Sequence, residues 1–363
     1  MSPEGALGAF ANASTASTMA ALALVALLSY AVAEGWRRWA LRRGVMDVPG
    51  HRSSHAVATP RGAGIGIVVA VVAGSFVLVP ASVARDATLL SLVLMAALGL
   101  WDDLRPLSPA LKLAGQALAA IPVAMALPLP VSTVVMDVPL LASAVDGTQG
   151  LPGVVEHAGT LALVLLFVNA WNFMDGIDGL AAAAAMAVGA CAWMAVGAGG
   201  AAAGWPLLGA VLLAACGGFL PVNLSRAKAF MGDCGSHALG VAVAAVVLGG
   251  PPGGPSWVAA AGSSAFIVDV LGTLALRFRD GERLSTAHRR HLYQLVIRCG
   301  YSHGRVTTAY AAWMLACGGS VAAAQSAGAE GPVAIVVVAV TAALWAGLVR
   351  HFGARVVQRE ARP

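Results

Sequence analysis

The feature that most limits the fold is a succession of apolar runs, each about as long as a bilayer is thick. A helix rises 1.5 Å per residue, so roughly 20 residues cross a hydrocarbon core of about 30 Å. Eleven runs read as spans, at 17–36, 62–83, 86–101, 110–130, 157–174, 179–198, 205–224, 236–251, 256–276, 304–325 and 332–350. They are continuous rather than alternating, which selects helices over the strands of a barrel. Hydrophobic residues make up 59% of the chain and charged residues 11%, against about 25% charged in a soluble domain. A soluble globule, a disordered chain and a collagen-like chain are therefore excluded. The expectation is an all-α, polytopic membrane protein with about 11 transmembrane helices, forming one domain over residues 1–363.

Charge sets the orientation. With the N-terminus outside and the C-terminus cytoplasmic, the inner loops are 37–61, 102–110, 175–178, 225–235 and 277–303. Every Lys and Arg except Arg85 then falls on the inner side, as the positive-inside rule asks. Residues 1–16 hold no Lys or Arg, and Arg37 and Arg38 follow the first run, which is a stop-transfer pattern rather than a cleavable leader. The five cysteines form no CxxC pair and read as small apolar fillers. No internal repeat is visible, which weighs against an inverted-repeat transporter.

Carboxylates at membrane depth are costly and point to function. WDDLRPLSPALK puts Asp102 and Asp103 at a helix exit, where acids oppose the helix dipole unless a metal, a proton or another cation joins them. NAWNFMDGIDGLAA spaces Asn169, Asn172, Asp175 and Asp178 by three, along one helix face. NLSRAKAFMGDCGSHALG supplies Lys228, Phe230 and Asp233 at a helix start, an end that favours phosphates, with Ser236 as a possible cap. Asp269 lies inside the ninth span and reads as either a partner of Arg277 or a metal-site neighbour.

Two cytoplasmic loops are basic. AHRRHLYQLVIRCGYSH carries His288, Arg289, His291 and Tyr293 without the ligand spacing of a zinc site. It suits a diphosphate better, through charge-assisted donors, with Tyr293 able to stack on a base; nucleic acid is not expected as a partner. The first loop, DVPGHRSSHAVATPRGAGIGI, contributes Arg52 and Arg61.

Taken in order, these blocks resemble the polyprenyl-phosphate N-acetylhexosamine-1-phosphate transferases. That superfamily includes phospho-N-acetylmuramoyl-pentapeptide transferase and the enterobacterial-antigen and teichoic-acid initiators. The likeness runs from about Asp47 to His303, and NFMDGIDGLA, AFMGDCGS and WDD carry it. It implies an enzyme of the bacterial inner membrane with its active site on the cytoplasmic face and a magnesium cofactor, or manganese. The substrates would be a UDP-N-acetylhexosamine and undecaprenyl phosphate, giving undecaprenyl-diphosphate-HexNAc and UMP. The lipid bilayer and a second copy of the chain are the other expected partners.

By position, the resemblance implies catalytic roles for Asp102, Asp103, Asp233 and His291, with the paired aspartates deprotonating or orienting the lipid phosphate. It implies a metal at Asp233, Asp175 and Asp178, with Asn172 in the nucleotide pocket. From residue type and side alone, Arg52, Arg61, Lys228, Phe230, His288, Arg289 and Tyr293 are expected to bind substrate. The chain departs from the pattern at Tyr293 and Gln294, where further histidines are common, and at Ala63, where paired glycines are usual. HLYQ resembles the branch that initiates O-antigen or capsule chains. The muramoyl-pentapeptide branch is the alternative, and a transporter is the alternative of another class.

Overall fold

The structure is a computed structural model that describes residues 3–49, 57–129, 152–196, 204–224, 226–250, 256–283, 286 and 288–360. It is almost wholly helical. In chain order the α-helices are α1 (Pro3–Arg43), α2 (Ile65–Leu78), α3 (Val83–Leu104), α4 (Pro109–Ala126), α5 (Pro152–Met174) and α6 (Leu180–Met194). They continue with α7 (Trp205–Asn223), α8 (Gly232–Leu248), α9 (Trp257–Arg279), α10 (Leu292–Arg298), α11 (His303–Ala324) and α12 (Glu330–Glu360). Each expected span holds one helix. Eight are long and apolar enough to cross a membrane, while α2, α6 and α8 are shorter, at 14, 15 and 17 residues. This is a multi-pass membrane protein.

Among the described residues three short elements went unforeseen, the seven-residue helix α10 in the basic loop, a 3₁₀ turn at Gln325–Ala327 and a two-residue antiparallel ladder, β1 (Met46–Asp47) with β2 (Thr59–Pro60). All are too short for periodicity to register. Helix α12 continues past its apolar run to Glu360 because the charged residues after Val349 are good helix formers that merely leave the hydrocarbon.

Local chemistry fixes the helix starts. Ser82, Ser108 and Ser256 accept from the N–H groups of Arg85, Leu111 and Ala259, and Pro109 takes the first position of α4, where no N–H is needed. Helix α8 is the axis of the bundle: every residue from Gly232 to Leu248 is buried, with α2, α3, α5, α6, α7 and α9 around it. The outer surface carries large apolar side chains such as Leu24, Leu27, Val77, Leu118 and Val336, each more than 60% exposed. In water such a surface would aggregate; against lipid tails it is at home.

Candidate active site

The site is assembled from helix ends. Helix α3 closes on Asp102 and Asp103, and α4 opens with Lys112 in its first turn. Each charge sits at the helix end that disfavours it, and the two misfits resolve each other. Lys112 Nζ lies 3.0 Å from Asp102 Oδ2 and also pairs with Asp233 Oδ2. Asp102 Oδ1 further accepts from the Leu107 N–H at 2.6 Å.

Asp103 points the other way. Its carboxylate meets Arg61 Nε at 2.7 Å and accepts the N–H groups of Asp233 and Cys234 at 3.0 and 3.1 Å. It therefore caps α8 from a neighbouring helix, and phosphate does not take those N–H groups. Ser236 does not cap either; its hydroxyl accepts from Asn172 Nδ2 at 3.1 Å. Two glycines permit the approach. Gly232 has φ +72°, and a Cβ there would stand 2.5 Å from Asp103 Oδ2; a Cβ on Gly99 would stand 2.3 Å from the Asp233 carbonyl oxygen.

Asp233 is the hub. Besides Lys112, its carboxylate accepts from Asn172 Nδ2 at 3.0 Å and Arg61 Nη2 at 3.2 Å. Arg61 is itself held: Trp36 Nε1 donates to its carbonyl at 2.8 Å. The strand beside it hydrogen-bonds to the chain entering α8, through Phe230 N to Pro60 O and Ala63 N to Phe230 O. The cation that the paired aspartates call for is thus Arg61 for one and Lys112 for the other.

The turn between α5 and α6 carries the remaining acids. Asp178 Oδ2 accepts from the N–H groups of Arg226 and Ala227, each at 3.1 Å, and Oδ1 lies 3.3 Å from His303 Nδ1. Burial opposes ionisation of Asp178, but these donors outweigh it and hold its pKa below the ordinary carboxylate value. Asn223 Oδ1 pins the same turn by accepting from Gly179 N at 2.9 Å. Asp175 differs: its carboxylate makes no hydrogen bond or ion pair with a described residue. Burial, then the charge of Asp233, pushes its pKa up to about 7, and Arg61 only partly offsets this.

These groups open on a cavity of about 410 Å³, a size suited to a small polar ligand. Arg61, Asn172, Asp175, Asp178, Phe230, Asp233, Arg289 and Tyr293 line it, so eight of the expected residues are brought together. Asp47, Gln294 and Arg298, to which no binding role was assigned, join them. Asp102 and Asp103 stand behind Asp233 rather than on the cavity wall. Lys228 is exposed and off the wall, and Arg52 lies outside the described residues.

The structure places the two loop histidines off the cavity wall. His291 is 2% exposed and does not line the cavity; its ring stacks on Tyr293, with centroids 5.9 Å apart. His288 also stays off the wall, and burial, helped by His291 and Arg277, holds its pKa down to about 4, so it is neutral at pH 7. Tyr293 reaches the wall but is only 1% exposed, with its hydroxyl donating to the Phe173 carbonyl at 3.1 Å, and it offers no free ring face to a base. Asp269 partners neither Arg277 nor the acid cluster. It accepts from Leu292 N, Trp345 Nε1 and Tyr310 Oη, each at 2.9 Å, while Arg277 pairs with Glu282.

A magnesium ion can be tested against this donor set. Among the described residues no group of three or more His, Cys, Asp or Glu is close enough to cage a metal. Magnesium rarely needs such a cage; it takes one or two carboxylates and keeps waters and substrate phosphates. Asp175 and Asp233 meet that requirement on one wall, and the unpaired, proton-hungry state of Asp175 is what a cation would relieve.

A polytopic helical bundle with acids gathered under cations at one end defines a membrane enzyme that handles phosphate groups. Comparison with known proteins places it. The glycosyl transferase family 4 model matches residues 87–250. The chain is 30% identical over 320 residues to a decaprenyl-phosphate N-acetylglucosaminephosphotransferase of Mycobacterium tuberculosis, covering 80% of this chain and 78% of that protein. It is 32% identical over 222 residues to a probable undecaprenyl-phosphate N-acetylglucosaminyl 1-phosphate transferase of Bacillus subtilis, covering 58% and 57%. Over 130 residues it is 38% identical to a phospho-N-acetylmuramoyl-pentapeptide-transferase of an Arthrobacter species, covering 31% and 35%. The chain belongs to glycosyl transferase family 4, and it is a phosphotransferase enzyme.

Proposed function

We propose that this protein transfers N-acetylhexosamine 1-phosphate from a UDP-sugar to a polyprenyl phosphate at the cytoplasmic face of a bacterial inner membrane, releasing UMP. The observation that carries this reading is the cavity wall on which Asp175 and Asp233 face Arg61 and Arg289. Phosphoryl transfer between two anions is chiefly positioning and charge neutralisation, and this wall supplies both signs. The relatives of broad coverage are named for N-acetylglucosamine, which favours that sugar as the donor's. Their acceptors are decaprenyl and undecaprenyl phosphates, so a long polyprenyl chain is the acceptor class. We assign the polymer that follows to the bacterial cell envelope.

All eleven apolar helices cross the membrane in this reading, with the N-terminus outside. Helices α2, α6 and α8 all start at the site. At 1.5 Å per residue they span only about 21–26 Å, so their first turns begin below the membrane surface and the cavity floor is sunk towards the acceptor's phosphate.

Asp175 and Asp233 would hold magnesium, which when bound would neutralise diphosphate charge and make UMP a better leaving group. Asn172, bonded to Asp233 and Ser236, fixes the carboxylate that faces the donor. Arg61 and Arg289 neutralise diphosphate charge, and Phe230, Ile177 and Ile297 give the cavity its apolar sides. Asp103 is a positioning residue that locks Arg61 and the first turn of α8. At pH 7 a phosphate with second pKa about 6 is mostly ionised, so the acceptor attacks directly and a covalent aspartyl intermediate is unnecessary.

The test is UMP release by purified protein given magnesium, a polyprenyl phosphate and a panel of UDP-sugars. UDP-N-acetylglucosamine should give UMP only when the lipid is present. A panel without UMP would overturn the reading. Turnover confined to UDP-MurNAc-pentapeptide would move the chain to its alternative branch.

A further inference from the structure

A second cavity, of about 560 Å³, lies past the C-terminal end of α10, beginning at Cys299. Its floor is the turn at Gly300 and Tyr301. One wall is the first turn of α11, with Arg305, and the other is the end of α12, with Arg355, Gln358 and Arg359. No acidic residue lines it. Among the described residues, Arg305 and Arg355 have no hydrogen-bond or ion-pair partner. Arg359 donates to the Arg298 carbonyl at 3.2 Å, a neutral group that caps α10 but cancels no charge. The nearby Glu360 is committed to Arg298 at 2.6 Å. Three like charges therefore converge on one concave surface with nothing to balance them, an arrangement that calls for an anion.

The level of the cavity says which anion. The apolar run of α12 ends at Val349, and Arg355 follows six residues later, about 9 Å along the helix, where lipid headgroups lie. Tyr301, 40% exposed, stands beside it with the mixed polar and apolar character typical of interfacial aromatics. The helix faces above are apolar and open, with Leu344 53% and Leu348 36% exposed, so acyl chains have a surface to follow.

We propose that Arg305, Arg355 and Arg359, with Tyr301, form a binding site for the phosphate of an anionic phospholipid of the inner leaflet, separate from the cavity lined by Asp175 and Asp233. The site goes beyond the transferase reading and does not depend on it. The two cavities meet along one short stretch of chain: Tyr293, Gln294, Ile297 and Arg298 of α10 line the first, and Cys299, Gly300 and Tyr301, which follow the helix, line the second.

The test is native mass spectrometry of the full-length protein in detergent, titrated with phosphatidylglycerol, phosphatidylcholine or inorganic phosphate. Phosphatidylglycerol should be retained in preference to phosphatidylcholine. R305Q/R355Q should weaken it roughly 30-fold, as expected for two basic residues at a membrane surface, while R305K/R355K should keep most of it. An unchanged thermal transition in the glutamine variant ties the loss to charge. Equal retention of both lipids, or equal affinity in the glutamine variant, overturns the site. Displacement of the lipid by millimolar inorganic phosphate would show a site for free anions and would overturn the lipid assignment.

Discussion

Asp233 and Asp269 sit in adjoining helices, α8 and α9, and both are buried, at 7% and 0% exposure. The company each keeps is different. Asp233 is surrounded by charged and amide donors, Lys112, Arg61 and Asn172, and still presents a face to the cavity. Asp269 is surrounded by neutral donors, the Leu292 N–H, Trp345 indole and Tyr310 hydroxyl, with His291 Nδ1 at 3.7 Å, and it opens on nothing. Burial alone does not make a carboxylate functional. What separates the two is access: Asp233 lines a cavity that a ligand can enter, and Asp269 is sealed at 0% exposure. In the proposed reaction the first holds chemistry; the second ties α10 to α9, α11 and α12, and so keeps Tyr293 and Gln294 at the cavity wall.

The largest effect should come from Asp233→Asn. The variant should keep its thermal transition, because Lys112 retains Asp102 and Arg61 retains Asp103. UMP release should drop by about 10²–10³-fold, the size of losing one preorganised electrostatic group. A rate within a few-fold of wild type would dissolve the contrast. Asp269→Asn should behave oppositely. It converts hydrogen bonds to a charged acceptor into bonds to a neutral one and turns an amide NH₂ towards groups that also donate. The expected cost is about 2–3 kcal/mol, seen as a lowered thermal transition, with turnover lost only in step with folded protein or with a loosened α10.

A smaller effect sharpens the active-site side. Asp175 has its pKa raised from 3.8 to about 7 in the folded chain. The unfolded chain releases this proton near 3.8 and the folded chain near 7, so the metal-free protein should lose stability as pH rises across that interval. Magnesium competes with the proton. The magnesium concentration giving half-maximal UMP release should therefore rise by up to about tenfold for each pH unit below pH 7 and level off above it. Asp175→Asn should flatten that profile. An unchanged slope in the variant would remove Asp175 from the metal site.

Much of this was written in the chain. The eleven apolar runs located the helices, and the gap between the fifth and sixth located the turn that borders the cavity, although the three-residue spacing of Asn172, Asp175 and Asp178 suggested one helix face and the helix ends at Met174. Lys112 was counted only for orientation, although the misfit of a cation in the first turn of α4, six residues after Pro106, was a signal that it answers Asp102. His291 misled because a histidine in a basic loop looks available, and nothing local shows that Asp269, over twenty residues earlier, draws it inward. Which wall a side chain joins depends on the rotation and tilt of packed helices, and that is settled by contacts between distant segments. The uncompensated arginines at 305, 355 and 359 were read only as topology charges for the same reason, since their convergence needs α11 and α12 side by side.

The subtlest prediction tests the structural half of the contrast. Tyr310→Phe removes one hydroxyl that donates to Asp269 Oδ2 at 2.9 Å and leaves the ring, which packs edge-on against Phe266 with centroids 5.8 Å apart. Leu292 N and Trp345 Nε1 continue to satisfy Oδ1, so the carboxylate keeps part of its shell. The loss should be about 1.5 kcal/mol, the low end for one hydrogen bond to a charged group. Turnover per folded molecule and its magnesium dependence should not change, because α10 remains tied through Leu292. If the variant instead shifts the magnesium dependence while its thermal transition holds, Asp269 communicates with the metal site, and the division between a chemical and a structural aspartate does not stand.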